Sequence, residues 1–90
     1  MILFDGDNEP VAFDFEAIRE RVKTQGCVST EDLSGTIYFD DPGPYVDEDG
    51  FYAVCIDEVH PLGIEDYEEF DDLDAAVRYF MVRVVAVRVA

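Results

Sequence analysis

Three consecutive carboxylates, Asp47-Glu48-Asp49, stand directly before Gly50 in the stretch "YVDEDGFYAV" at residues 45–54. Acids so placed could chelate calcium, trade protons in catalysis, or present negative charge to a partner. Calcium in an EF-hand needs oxygen ligands at loop positions 1, 3 and 5, glycine at 6 and glutamate at 12. With Gly50 at position 6, Asp49 and Asp47 fall correctly, but Tyr45 takes position 1 and Ile56 position 12. Both end ligands are missing, and a strand pattern follows where a helix is needed, so the segment does not read as a calcium loop.

Cys27, Cys55 and His60 are the only other metal-binding candidates. A structural zinc site usually takes four such ligands, often with two in a C-x-x-C pair. That pattern is absent, and no metal or other cofactor is called for. Paired carboxylates can act as acid and base, but acids are so abundant here that a pair carries no information. There is no nucleophile motif and no phosphate-binding glycine loop, and ninety residues leave little room for a deep pocket. The expectation is a protein that is not an enzyme.

The charge itself is the strongest signal. Twenty-two Asp and Glu stand against six Lys and Arg, for a formal net charge of −16. Such a balance repels nucleic acid and anionic membranes and attracts basic protein surfaces. The six cations are Arg19, Arg21, Lys23, Arg78, Arg83 and Arg88, so residues 24–77 contain none, although they hold 16 of the 22 acids. Paired acids recur through that interval, among them Asp40-Asp41, Glu65-Asp66, Glu68-Glu69 and Asp71-Asp72, with Tyr38, Tyr45, Phe51, Tyr52, Tyr67 and Phe70 between them. Carboxylates on alternate residues of a strand lie about 6.6–6.8 Å apart, as Asp47 and Asp49 would in an extended segment. On a helix, carboxylates three or four residues apart lie about 5–6 Å apart, as Glu65, Glu68, Glu69 and Asp72 would if a helix began that early. Either ladder could imitate the phosphates of duplex DNA, which carries one charge per about 1.7 Å of axis.

The elements that must position these residues are short. "MILF" (1–4) predicts a strand, and "DGDNEP" (5–10) a turn. Residues 14–26 predict a helix: Asp14 suits the N-cap, Phe15, Ile18 and Val22 form one apolar stripe, and Gly26 suits the C-terminal stop. "GTIYFDD" (35–41) and "GFYAVCIDEV" (50–59) predict two strands of a hairpin, joined by about ten residues through Pro42-Gly43-Pro44. In that reading Gly50 permits the turn into the second strand. "HPLGIEDYEEF" (60–70) predicts irregular structure. "DDLDAAVRYFM" (71–81) predicts a helix capped by Asp71 or Asp72, with Leu73, Ala76, Val77 and Phe80 on one face. The valine-rich 82–90 predicts a strand, whose edge could pair two copies into a homodimer.

Residues 1–90 therefore form a single α+β domain, a small antiparallel β-sheet with two helices packed on one face. The order β-α-β-β-α-β is the ferredoxin-like alternation, and a simpler α+β sheet fits equally. No secretory signal and no membrane-spanning run is visible, so the expected location is the cytoplasm, with two reduced thiols.

In size, charge and acid–aromatic interleaving over residues 31–74, the sequence resembles the small acidic phage proteins that block host defence or repair enzymes: anti-CRISPR proteins, restriction inhibitors and uracil-DNA glycosylase inhibitors. No signature motif is shared. The resemblance implies a non-enzymatic inhibitor, working in the host cytoplasm, that occupies the basic nucleic-acid site of a larger protein or ribonucleoprotein, a CRISPR effector first among them. The expected contact residues are Asp40, Asp41, Tyr45, Asp47, Glu48, Asp49, Glu65, Asp66, Tyr67, Glu68, Glu69, Asp71 and Asp72, with Tyr45 and Tyr67 as anchors. Two alternatives stay open: a small domain adapted to high salt, and an immunity protein or antitoxin that neutralises a basic nuclease.

Overall fold

Asp14 accepts a hydrogen bond from the Ala17 amide at 3.1 Å and so starts the first helix where the sequence places it. A computed structural model describes residues 2–47, 49–56 and 67–89, with side chains through residue 86. Within it, helix α1 (Phe15–Gln25) ends at Gly26, which takes the left-handed conformation that a side chain would strain. Its Ile18 and Val22 are buried as the spacing requires. The strands are β1 (Leu3–Asp5), β2 (Pro10–Val11), β3 (Cys27–Thr30), β4 (Gly35–Asp40), β5 (Phe51–Ile56) and β6 (Tyr67–Phe70), and the second helix is α2 (Leu73–Val89).

All six strands pair antiparallel into one sheet of order β2-β1-β3-β4-β5-β6. The hairpin of β4 and β5 forms as expected, Ile37 opposite Val54 and Asp40 opposite Phe51, joined by residues 41–50. One alternation of the strands supplies Leu3, Val28, Ile37, Val54 and Ile56 to a single core cluster. Both helices complete that cluster, α1 over the β1–β3 half and α2 over β4, β5 and β6. The architecture is thus α+β, with both helices on one face of an antiparallel sheet.

The chain order differs from β-α-β-β-α-β. It runs β-β-α-β-β-β-β-α, and among the described residues no strand follows α2, so the second β-α-β unit of the ferredoxin-like arrangement is not formed. Three additional strands account for part of the difference. Pro10–Val11 closes a hairpin onto β1, Cys27–Thr30 fills the gap between β1 and β4, and Tyr67–Phe70 adds to β5 where irregular structure was expected.

The largest correction concerns residues 82–89, which continue α2 instead of forming a strand. Val84 stands four residues beyond Phe80, and both are buried, so the stripe Leu73, Ala76, Val77, Phe80, Val84 keeps one helical face on the sheet. Gly35, the first residue of β4, makes room for it: a Cβ there would lie 2.9 Å from Val84 Cγ2 and 3.3 Å from Ile56 Cδ1. Tertiary packing outweighs the small helix propensity of valine. A homodimer through a C-terminal strand consequently has no strand to pair with.

The two helices are pinned to each other. Arg19 Nε donates to Asp74 Oδ1 at 2.7 Å, and Arg78 lies over the Phe15 ring with its guanidinium carbon 5.6 Å from the ring centre. Both contacts are exposed to solvent, which screens them, so they orient the helices more than they stabilise the fold. Among the described residues, no helix is long and apolar enough to cross a membrane.

Candidate protein-binding surface

Two acidic stretches, 40–49 and 71–72, meet at one end of the sheet, whereas the exposed Glu31 and Asp32 lie in the β3–β4 turn at the other end. Strand β5 leaves the 41–50 connection at Phe51, and β6 runs back beside it so that Phe70 lies opposite Tyr52. Asp71 and Asp72 therefore leave the sheet at the same end as the connection that carries Asp41, Asp47 and Asp49, with Asp40 at its base. Two strand spacings, roughly 10 Å, separate the end of β4 from the end of β6. All six of these aspartates are exposed. Tyr45, in the connection, is 99 % exposed. Glu48, Glu65 and Asp66 lie outside the described residues.

Neither carboxylate ladder considered in the sequence is present. Residues 67–70 are a strand, so Glu68 and Glu69 point to opposite faces. Glu68, opposite Val54, faces the helix side, whereas Glu69, opposite Ala53, faces the open side together with Tyr67. Asp47 lies in a bend, and none of the described residues of 41–50 belongs to a strand, so Asp47 and Asp49 do not alternate along a strand. Some acids also have local structural tasks. Asp41 accepts from the Gly43 amide at 2.9 Å, shaping the connection as an Asx turn. Asp72 accepts from the amides of Asp74 and Ala75, both at 3.3 Å, and so caps α2.

The base of the connection is fixed by aromatic packing. Phe39 and Tyr52 sit opposite each other with ring centres 5.1 Å apart, and Phe70 and Tyr79 follow at 5.3 Å. Tyr52 and Phe70, also opposite each other, join the two pairs into one row along the helix-side edge of the core. Burial pushes the Tyr79 phenol above its usual range, and the nearby Glu68 charge pushes it the same way. Gly50 contributes space to this packing, not turn conformation. Its φ is not in the left-handed region, and a Cβ would run into the Phe39 ring and reach 2.9 Å from the Asp40 carbonyl oxygen.

One ionic site was invisible in the sequence. Asp5 is buried, accepts from the Asp7 and Glu9 amides at 2.9 and 3.0 Å, and pairs with Arg21. Burial alone would raise its pKa, but the Arg21 hydrogen bond, the two amides and the Arg21 charge outweigh it, and the carboxyl is held below its usual range. The only advance signal was the acid-and-turn composition of "DGDNEP". The arrangement closes the β1–β2 hairpin and ties it to α1.

All six Lys and Arg of the chain belong to α1 or α2. No strand and no connection contains one. Both helices pack on a single face, so the described cations, Arg19, Arg21, Lys23, Arg78 and Arg83, lie on one side of the sheet. There Arg19 and Arg21 are paired with acids of the chain itself, and Arg78 covers an aromatic ring. Cys27 and Cys55 stand on the opposite, open face, opposite Tyr38 and Thr36 of β4 respectively, and they form no disulfide. Among the described residues, no three His, Cys, Asp or Glu side chains converge as metal ligands.

Compared with protein-family models, curated proteins and solved structures, the chain matches none.

Proposed function

We propose that this chain is a non-enzymatic inhibitor that occupies the basic nucleic-acid-binding surface of a larger protein or ribonucleoprotein, with a CRISPR effector as the leading candidate. It would work in the cytoplasm of the cell that makes that target. The observation that carries the reading is the segregation of charge: the described cations sit on the helices behind the sheet, while Asp40, Asp41, Asp47, Asp49, Asp71 and Asp72 gather at one end of it. A protein adapted to salt needs only a coat of acids over its whole surface. A mimic of nucleic acid needs acids where the partner lies and no cation among them. Long-range attraction would bring the partner in, and a few anchors, Tyr45 and Tyr67 among them, would hold it.

The test is charge reversal. Asp47→Lys, Glu48→Lys and Asp49→Lys in one variant, and the acids of 65–72 in a second, are assayed for displacement of DNA from a purified CRISPR effector. Reversal should abolish displacement and make residual binding sensitive to competing duplex DNA. If both variants inhibit as well as the parent, acidic mimicry is wrong.

A further inference from the structure

The face of the sheet turned away from the helices is the least explained surface of the molecule. A sheet with one face in solvent usually alternates apolar residues inward with polar residues outward. Here the outward positions of the three strands β4, β5 and β6 include Tyr38, Phe51, Ala53, Cys55 and Tyr67. Ala53 is fully buried, because Tyr38 and Glu69 flank it across the sheet and Phe51 and Cys55 along the strand. Tyr67 is 54 % exposed, and Phe51 is half-buried. Among the described residues, no element packs on this face. Two exposed acids edge the aromatic surface: Asp40 directly opposite Phe51, and Glu69 two residues from Tyr67 on the same face.

We infer that this open face is a docking surface for arginine side chains of a basic partner protein, which stack on Phe51 and Tyr67 while Asp40 and Glu69 accept their N–H groups. The inference rests on the reading above only in taking the partner to be basic. Charge complementarity selects that partner. A second copy of a chain with net charge −16 would bring like charge onto the same acids. Nucleic acid and anionic lipid are repelled for the same reason. A cation that meets both an aromatic plane and a carboxylate is best served by guanidinium, which is planar, stacks on rings and pairs with carboxylates in a fork. Lysine offers only a point charge to the same surface.

The experiment compares oligo-arginine and oligo-lysine peptides of equal length, titrated calorimetrically into the intact chain at physiological salt. The arginine peptide should bind about five- to tenfold more tightly, as expected for one or two stacking contacts. Hydrogen exchange of the bound, unmodified protein should show protection in β5 and β6. Tyr67→Ser, at an exposed position, should reduce the arginine preference, and Phe51→Ser with it should bring the ratio near one. Asp40→Asn with Glu69→Gln should weaken both peptides alike. Equal affinities for the two peptides, or protection confined to the helices, would overturn the inference. Arginine-selective binding at this face by a chain that displaces no DNA from any effector would leave it standing and defeat the mimicry reading instead.

Discussion

Gly50 lies against the ring of Phe39, so closely that a Cβ would overlap the ring and reach 2.9 Å from the Asp40 carbonyl oxygen. The carboxylates before Gly50 are thus held at the end of a hairpin whose closure depends on a missing side chain. Gly50→Ala should push Phe39 out of its contact with Tyr52 and destabilise the domain by about 1–3 kcal/mol. For a chain of this size that is a drop in Tm of about 5–20 °C by circular dichroism. Removing the obstructing ring should recover part of the loss, so Gly50→Ala in a Phe39→Ala background should be markedly milder than in the parent.

Helix α2 offers a second prediction. Val84 is buried beyond the point where the sequence pattern suggests the helix ends. Val84→Ala should cost about 1–3 kcal/mol by leaving a cavity over Gly35. Val84→Pro should additionally reduce helical ellipticity, because proline removes an amide donor and clashes with the preceding turn. A strand over 82–89 would predict no loss of ellipticity from that substitution.

These two sites show what the sequence carried and what it did not. Helix α1 was readable to within a residue because its cap, stripe and glycine stop are all local signals. The β4–β5 hairpin was readable because β-branched and aromatic residues cluster on either side of Pro42-Gly43-Pro44. Residues 82–89 misled because valine favours strands, and only the position of Val84 relative to Phe80 and Gly35 decides for helix. Strand β6, "YEEF", has three exposed residues of four and no apolar alternation, so its existence depends on hydrogen bonds to β5 that no local pattern announces. Of the candidate surface, the acids were plain, but their division between faces followed only from register. A one-residue shift in β6 would exchange Glu68 and Glu69.

The buried Asp5 sets a lower pH limit. Its pKa is lowered in the folded state, since the Arg21 pair and two amides outweigh the effect of burial. The stabilisation is therefore present above the unfolded value of about 3.8 and is lost as pH falls through the folded value. Urea unfolding at successive pH values should show this acid-side loss in the parent and not in Asp5→Asn, which should be less stable throughout the neutral range. Arg21→Gln should shrink this acid-side loss, because the carboxyl would keep its burial and lose its cation, bringing its folded pKa back toward the unfolded value. An unchanged acid limb in Arg21→Gln would mean that the amides alone hold the charge.

Tyr79 and Glu68 set the alkaline limit in the opposite sense. Burial of the phenol, and then the Glu68 charge beside it, raise the Tyr79 pKa above its ordinary value of about 10. The protonated form is favoured by folding, so the stability is complete below pH 10 and falls as pH rises through the folded value. Glu68→Gln should remove the smaller, electrostatic part of the shift and bring the phenol titration down while leaving it above the ordinary value. Tyr79→Phe should abolish that titration and flatten the alkaline limb, while preserving the ring contact with Phe70, 5.3 Å between centres, that braces β6 against α2. Ultraviolet titration of the parent and the two variants checks both statements. If Glu68→Gln left the midpoint unmoved, Glu68 would not face the helix side in solution, and the register of β6, with Glu69 on the open face, would be wrong as well.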